Sequence, residues 1–166
     1  MNVVSLNAPR FVGDLMAIEP VVVRADAPLA EAARLMDGCH VSGLPVVDGA
    51  GTLVGVISQT DLLRARATEY LWANWPGLRV KHLMTSPALT VHRDAALTLA
   101  ARKMERHHVH RLVVVADEDE TFPIGVLSTS DLVRAMSAIG VEVPAPAARP
   151  EPPGGASPAP GDAEHE

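Results

Sequence analysis

One cysteine, Cys39, stands in 166 residues, which excludes an internal disulfide framework. Aromatic residues make up only 3% of the chain, so any core must be assembled from Val, Leu, Ala and Met. No apolar run approaches the ~20 residues that cross a bilayer, and the N-terminus lacks the basic-then-apolar pattern of a secretion signal. These features predict a soluble cytoplasmic protein with no membrane partner. Basic charge is not in excess either. The formal charge is −6, and residues 141–166 set Arg149 against Glu142, Glu151, Asp162, Glu164 and Glu166. A near-neutral body with an acidic tail lacks the basic stripe that general nucleic-acid binding requires. No general base accompanies a recognisable nucleophile: adjacent strand residues such as Cys39 and His40 would point to opposite faces. No catalytic residue is assigned, and the chain is not expected to be an enzyme.

What the chain has is a duplication. Val12, Leu15, Met16, Val23, Asp26, Leu29, Ala32, Ala33, Arg34 and Met36 return as Val80, Leu83, Met84, Val91, Asp94, Leu97, Ala100, Ala101, Arg102 and Met104. His40, Val41, Leu44, Val46 and Val47 return as His108, Val109, Leu112, Val114 and Val115. After a short insertion, Gly55, Val56, Ser58, Asp61, Leu62 and Arg64 return as Gly125, Val126, Ser128, Asp131, Leu132 and Arg134. Two copies are too few for a solenoid, which needs about three. They predict two half-cores closing about a pseudo-twofold axis, with ligand clefts between them.

Each copy reads as strand, helix, strand, strand, helix. In the first, Val21–Val23 is a short apolar run, and Leu29, Ala32, Ala33 and Met36 fall at helical spacing with Pro28 suited to the first turn. Leu44–Val47 and Leu53–Ile57 form strands joined by Asp48-Gly49-Ala50-Gly51, and a helix begins near Thr60. The expected fold is therefore α/β, with a first domain over 12–66, a connector over 67–79 and a second domain over 80–140. Tyr70, Trp72 and Trp75 in the connector are expected to cover a core edge or an oligomer contact. Residues 141–166, rich in Pro, Ala and Gly with scattered acids, are expected to be disordered.

Two patterns bear on chemistry. Gly-x-x-Ser-x-x-Asp occurs at Gly55, Ser58, Asp61 and at Gly125, Ser128, Asp131, each time where a strand gives way to a helix. Free N–H groups and the positive end of the helix dipole meet there, which suits an anion. A carboxylate beside them can accept both hydrogens of a vicinal diol, so the group fits a ribose with its phosphate. Ser-x-x-Asp is equally a helix capping box, and the pattern alone leaves both readings open. The second pattern is His110-Arg111 at the head of an aliphatic strand, where a guanidinium fork can grip phosphate. The first copy has Ser42-Gly43 in that place, so the halves are chemically unequal. Gly49-Ala50-Gly51 joins two strands and lacks dinucleotide-loop spacing. His107, His108 and His110 have no further ligand at a metal-site spacing, and Asp117–Glu120 reads as a solvated loop, so no metal site is assigned.

The repeat, with Leu-Met near its start, an aliphatic strand pair and the Gly-x-x-Ser-x-x-Asp ending, resembles the CBS domain, and the tandem resembles a Bateman module over residues 12–136. The resemblance implies two such domains packed through their sheets, usually in a flat homodimer. It implies regulatory binding of AMP, ADP or ATP and no catalytic cofactor. It places ribose contacts on Ser58 with Asp61 and on Ser128 with Asp131. The His-Arg-Leu-Val-Val-Val segment is similar to phosphate-binding repeats of the AMP-activated protein kinase gamma subunit, which implies phosphate contact at His110 and Arg111. The implied adenine walls carry Val22 with Pro45, and Thr90 with Val113. The output would run through a partner protein or through the chain's own assembly. A structural homodimeric scaffold with empty clefts, or a binder of S-adenosylmethionine, NAD or nucleic acid, are the alternatives.

Overall fold

The computed structural model describes residues 9–67, 77–116 and 120–138. The tryptophans of the connector, the acidic tail and Asp117–Asp119 lie outside the described residues. The first copy supplies β1 (Ala17–Ile18), β2 (Val23–Arg24), α1 (Leu29–Gly38), β3 (Gly43–Val47), β4 (Leu53–Ser58) and α2 (Gln59–Ala67). The second supplies β5 (Thr90–His92), α3 (Leu97–His107), β6 (Arg111–Val115), β7 (Pro123–Ser128) and α4 (Thr129–Ala138). Strand, helix, strand, strand, helix recurs in both, as a mixed α/β fold.

Two sheets result, one in the order β2-β3-β4 and the other β1-β7-β6-β5. Within each copy the leading strand pairs parallel to the middle one, and the following hairpin is antiparallel. The hairpin turn at Asp48 explains itself. Asp48 Oδ1 accepts from the amides of Ala50 at 2.8 Å and Thr52 at 3.0 Å, and Gly51 takes φ +87°, where a side chain would be strained. Asp48→Ala should lower stability by about 1 kcal/mol, read as a shifted urea midpoint at unchanged slope.

The middle strands are buried on both faces. Along β3, Leu44 and Val46 enter a core with Ala32 and Met36 of α1 and Ala65 of α2, while Leu112 and Val114 of β6 enter a second core with Ala100 and Met104 of α3. Alternation turns Pro45 and Val113 to the opposite faces, where both are also buried. Continuous aliphatic runs are what such doubly covered strands require.

The packing units do not coincide with the repeat units. β1 belongs to the first copy by sequence, yet it pairs antiparallel with β7 of the second, Ala17 opposite Val126 and Ile18 opposite Gly125. The reciprocal bridge joins Thr85 to Val56 of β4, with N–H···O distances of 2.9 and 3.0 Å. The heads of the copies are thus exchanged. Val12, fully buried, sits in the second core and donates its amide to Ala95, while Val80, equally buried, sits in the first and donates to Ala27. Gly55 and Gly125 make the exchange possible. A Cβ at Gly55 would stand 2.7 Å from the Thr85 carbonyl oxygen, and one at Gly125 would stand 2.9 Å from that of Ala17 and 2.8 Å from Met16 Sδ. Glycine inside a strand here serves close approach of another backbone.

Candidate functional site

Each Gly-x-x-Ser-x-x-Asp segment closes a reciprocal cap on the helix that follows. Asp61 Oδ2 accepts from the Ser58 amide at 2.8 Å and from its hydroxyl at 2.6 Å, while Ser58 Oγ accepts from the Asp61 amide at 3.3 Å. Asp131 Oδ2 does the same with Ser128 at 2.8 and 2.6 Å, and the return bond is 3.4 Å. The next backbone amide is also satisfied in each copy, Gln59 by the Ser42 carbonyl and Thr129 by that of His110. In both caps Oδ2 does the capping and Oδ1 takes no part. A carboxylate has about four acceptor positions, so capping leaves room on the other oxygen. Arg134 Nη1 stands 3.5 Å from Asp131 Oδ1 on a side chain that is 80% exposed, a contact a ligand displaces at little cost.

Around the second cap lies a cleft of about 520 Å³. Ser128, Ser130, Asp131 and Arg134 line it at the N-terminus of α4, with Val126 from β7 behind them. The opposite wall comes from the first copy: Ala17 to Val21, then Cys39 to Gly43 and Pro45. Two of these residues, Glu19 and His40, hold positive φ without being glycine, at 52° and 54°. Arg111 completes the lining. Its Nη2 donates to Ser42 Oγ at 2.7 Å, and its guanidinium fills the space over Gly43, where a Cβ would overlap it. Burial pushes the Arg111 pKa below the ordinary arginine value, and the Asp61 carboxylate partly offsets this. A guanidinium remains charged nonetheless. The cleft therefore holds, within one space, a helix N-terminus, a serine–aspartate pair, a half-buried cation and an aliphatic wall.

Of the residues singled out in the sequence, Ser128, Asp131, Arg111 and Pro45 meet at this cleft. Ser58 and Asp61 form the equivalent cap on α2. His110 does not accompany Arg111; it is exposed and lines a separate groove between α3 and α4 with Met104 and Leu132. Val22 is exposed beside the cleft's Val21, Val113 is buried, and Thr90 accepts from Lys103 Nζ through its carbonyl. None of these three lines the cleft. The segment Ala17–Pro20 was not singled out, because only the head exchange brings it to Asp131. The signal that could have found it is the lone glycine inside each strand, a mark of close backbone approach. Among the described residues, no group of three or more His, Cys, Asp or Glu side chains is placed to hold a metal ion. No helix among them is long and apolar enough to cross a membrane.

The family model described as the CBS domain matches residues 12–68 and again 80–138. The chain belongs to the CBS-domain family. The CBS domain pair of protein MJ0100, solved in complex with 5′-methylthioadenosine and S-adenosyl-L-methionine, superposes with a TM-score of 0.70 at 25% identity, covering 78% of this chain and 98% of that one. CBSX2 in complex with AMP gives a TM-score of 0.67 at 34% identity, covering 79% and 98%. Among curated sequences, homoserine O-acetyltransferase of Methanocorpusculum labreanum is 33% identical over 124 residues, which are 75% of this chain and 24% of that protein. This CBS pair spans about a quarter of the length of the first curated relatives it matches.

Proposed function

We propose that this CBS pair is a regulatory module that binds an adenine nucleotide, AMP, ADP or ATP, in the cleft at Asp131. The observation that carries the reading is the meeting of Ser128, Asp131 and Arg111 around one cleft. Asp131 Oδ1 takes the ribose diol, the α4 N-terminus and Arg111 take the phosphate, and Val21, Val41, Pro45 and Val126 flank the base. CBSX2, similar over nearly its whole length, was solved with AMP. Ser58 and Asp61 hold the same groups for a second, weaker site. The module is not catalytic. The transferase activities named for its curated relatives belong to proteins about four times the length it shares with them. Its output runs through an effector protein, or through the assembly of a cytoplasmic homodimer whose arrangement nucleotide shifts by unequal affinity for two states.

S-adenosylmethionine is the second reading, favoured by the likeness to the MJ0100 pair. A thermal-shift panel of AMP, ADP, ATP, S-adenosylmethionine and NAD separates the two. A ligand selective for the native state at a hundred times its dissociation constant adds about 2.7 kcal/mol of stability. The melting temperature should rise with at least one of the three nucleotides. A rise with S-adenosylmethionine alone transfers the site to that ligand, and no rise with any compound leaves the caps as caps in a structural scaffold.

A further inference from the structure

His110-Arg111 and Ser42-Gly43 occupy equivalent positions in the two copies, and the structure lays Arg111 of the one pair on the other. Arg111 reaches across to the first copy, bonds Ser42, and lies over Gly43, its own counterpart. The strand registers give this contact a meaning. Arg111 is paired across β6 and β7 with Ser128, the serine of one cap, whereas Gly43 is paired across β3 and β4 with Ser58, the serine of the other. The side chain thus begins beside the Asp131 cleft, whose wall it forms, and ends over the strand position next to the Asp61 cap. The Asp61 carboxylate is close enough to favour its charged form. One guanidinium thus lies between two serine–aspartate motifs, and glycine at position 43, where the other copy carries the cation, leaves room for it.

We propose that Arg111 is a cation shared by the two caps, so that phosphate-bearing ligands at Asp131 and at Asp61 compete for it and bind with negative coupling. This rests on the nucleotide reading above. A ligand drawing the guanidinium toward α4 takes it from Ser42 and the Asp61 side, and coupling of binding free energies is reciprocal. A nucleoside without phosphate makes no claim on Arg111 and should bind without coupling.

Calorimetry on the full chain tests this with AMP and adenosine as probes. Asp131→Ala removes the ribose acceptor of one cleft and, at AMP concentrations below that cleft's weakened constant, leaves the cation to the other. Its single AMP should bind at least about tenfold more tightly than the second AMP of the unmodified chain, within the usual span of coupling between sites. An undetectable second AMP in the unmodified chain, with one still bound by the variant, has the same meaning. The gap should vanish with adenosine, and it should vanish with AMP when Arg111→Gln is introduced into both proteins. Equal AMP constants in the two proteins, a gap that persists with adenosine or without Arg111, or loss of all AMP binding in Asp131→Ala overturns the shared cation alone. No AMP binding by the unmodified chain instead defeats the nucleotide reading, and the coupling with it.

Discussion

Asp131→Ala is expected to weaken AMP binding at its cleft by about fivefold to 150-fold, the equivalent of about 1–3 kcal/mol for losing the acceptor of a partly buried diol. The carboxylate is only 17% exposed, and its Oδ2 is already fixed by the Ser128 amide and hydroxyl. That fixation holds Oδ1 in place before any ligand arrives, so little ordering cost falls on binding. The substitution also removes a helix cap, worth about 0.5–2 kcal/mol of stability. The two effects separate by probe. A 2′,3′-dideoxy analogue of AMP lacks the diol, and its affinity should be the same for both proteins. If the variant loses AMP and the analogue equally, Asp131 supports the helix and not the sugar. Calorimetry well below the variant's melting temperature reads both.

Gly125→Val is expected to cost about 1–3 kcal/mol of stability, and to damage the cleft at the same time. Any Cβ there meets the Ala17 carbonyl oxygen at 2.9 Å, and backbone paired in a sheet cannot yield as a side chain end can. The available movement is for β1 to lift from β7, which carries Ala17–Val21 away from Val126 and opens the wall opposite Asp131. Gly55→Val is the control. It meets Thr85 in the same way and should lower stability comparably, but it lifts the other head and leaves the Asp131 cleft whole. Denaturant melts should show both variants destabilised, with AMP affinity reduced in Gly125→Val only. Undiminished stability in both would mean that head exchange contributes nothing to holding the copies together.

These two substitutions mark what local pattern reveals and what it does not. Ser58, Asp61, Ser128 and Asp131 were legible because a cap is built within four residues, and the aliphatic runs at Leu44–Val47 and Leu112–Val115 were legible because doubly buried strands need them. The same short range hid the rest. Val12 and Val80 look like members of their own copies, yet each is buried in the other's core. Pairing of β1 with β7 joins residues more than a hundred positions apart, so no periodicity reports it. The inequality of Ser42-Gly43 and His110-Arg111 was visible as a difference in chemistry. That the two meet, with Arg111 over Gly43 and His110 turned away to the α3–α4 groove, follows only from the pseudo-twofold packing.

The most direct test of the account is a crystal structure of the chain with AMP. It should place the ribose hydroxyls within about 3 Å of Asp131 Oδ1 and the phosphate against Arg111 and Ser130 at the head of α4, with the base between Val21 and Pro45. An empty cleft at saturating AMP, or a nucleotide seated elsewhere while Asp131 only caps its helix, would contradict it.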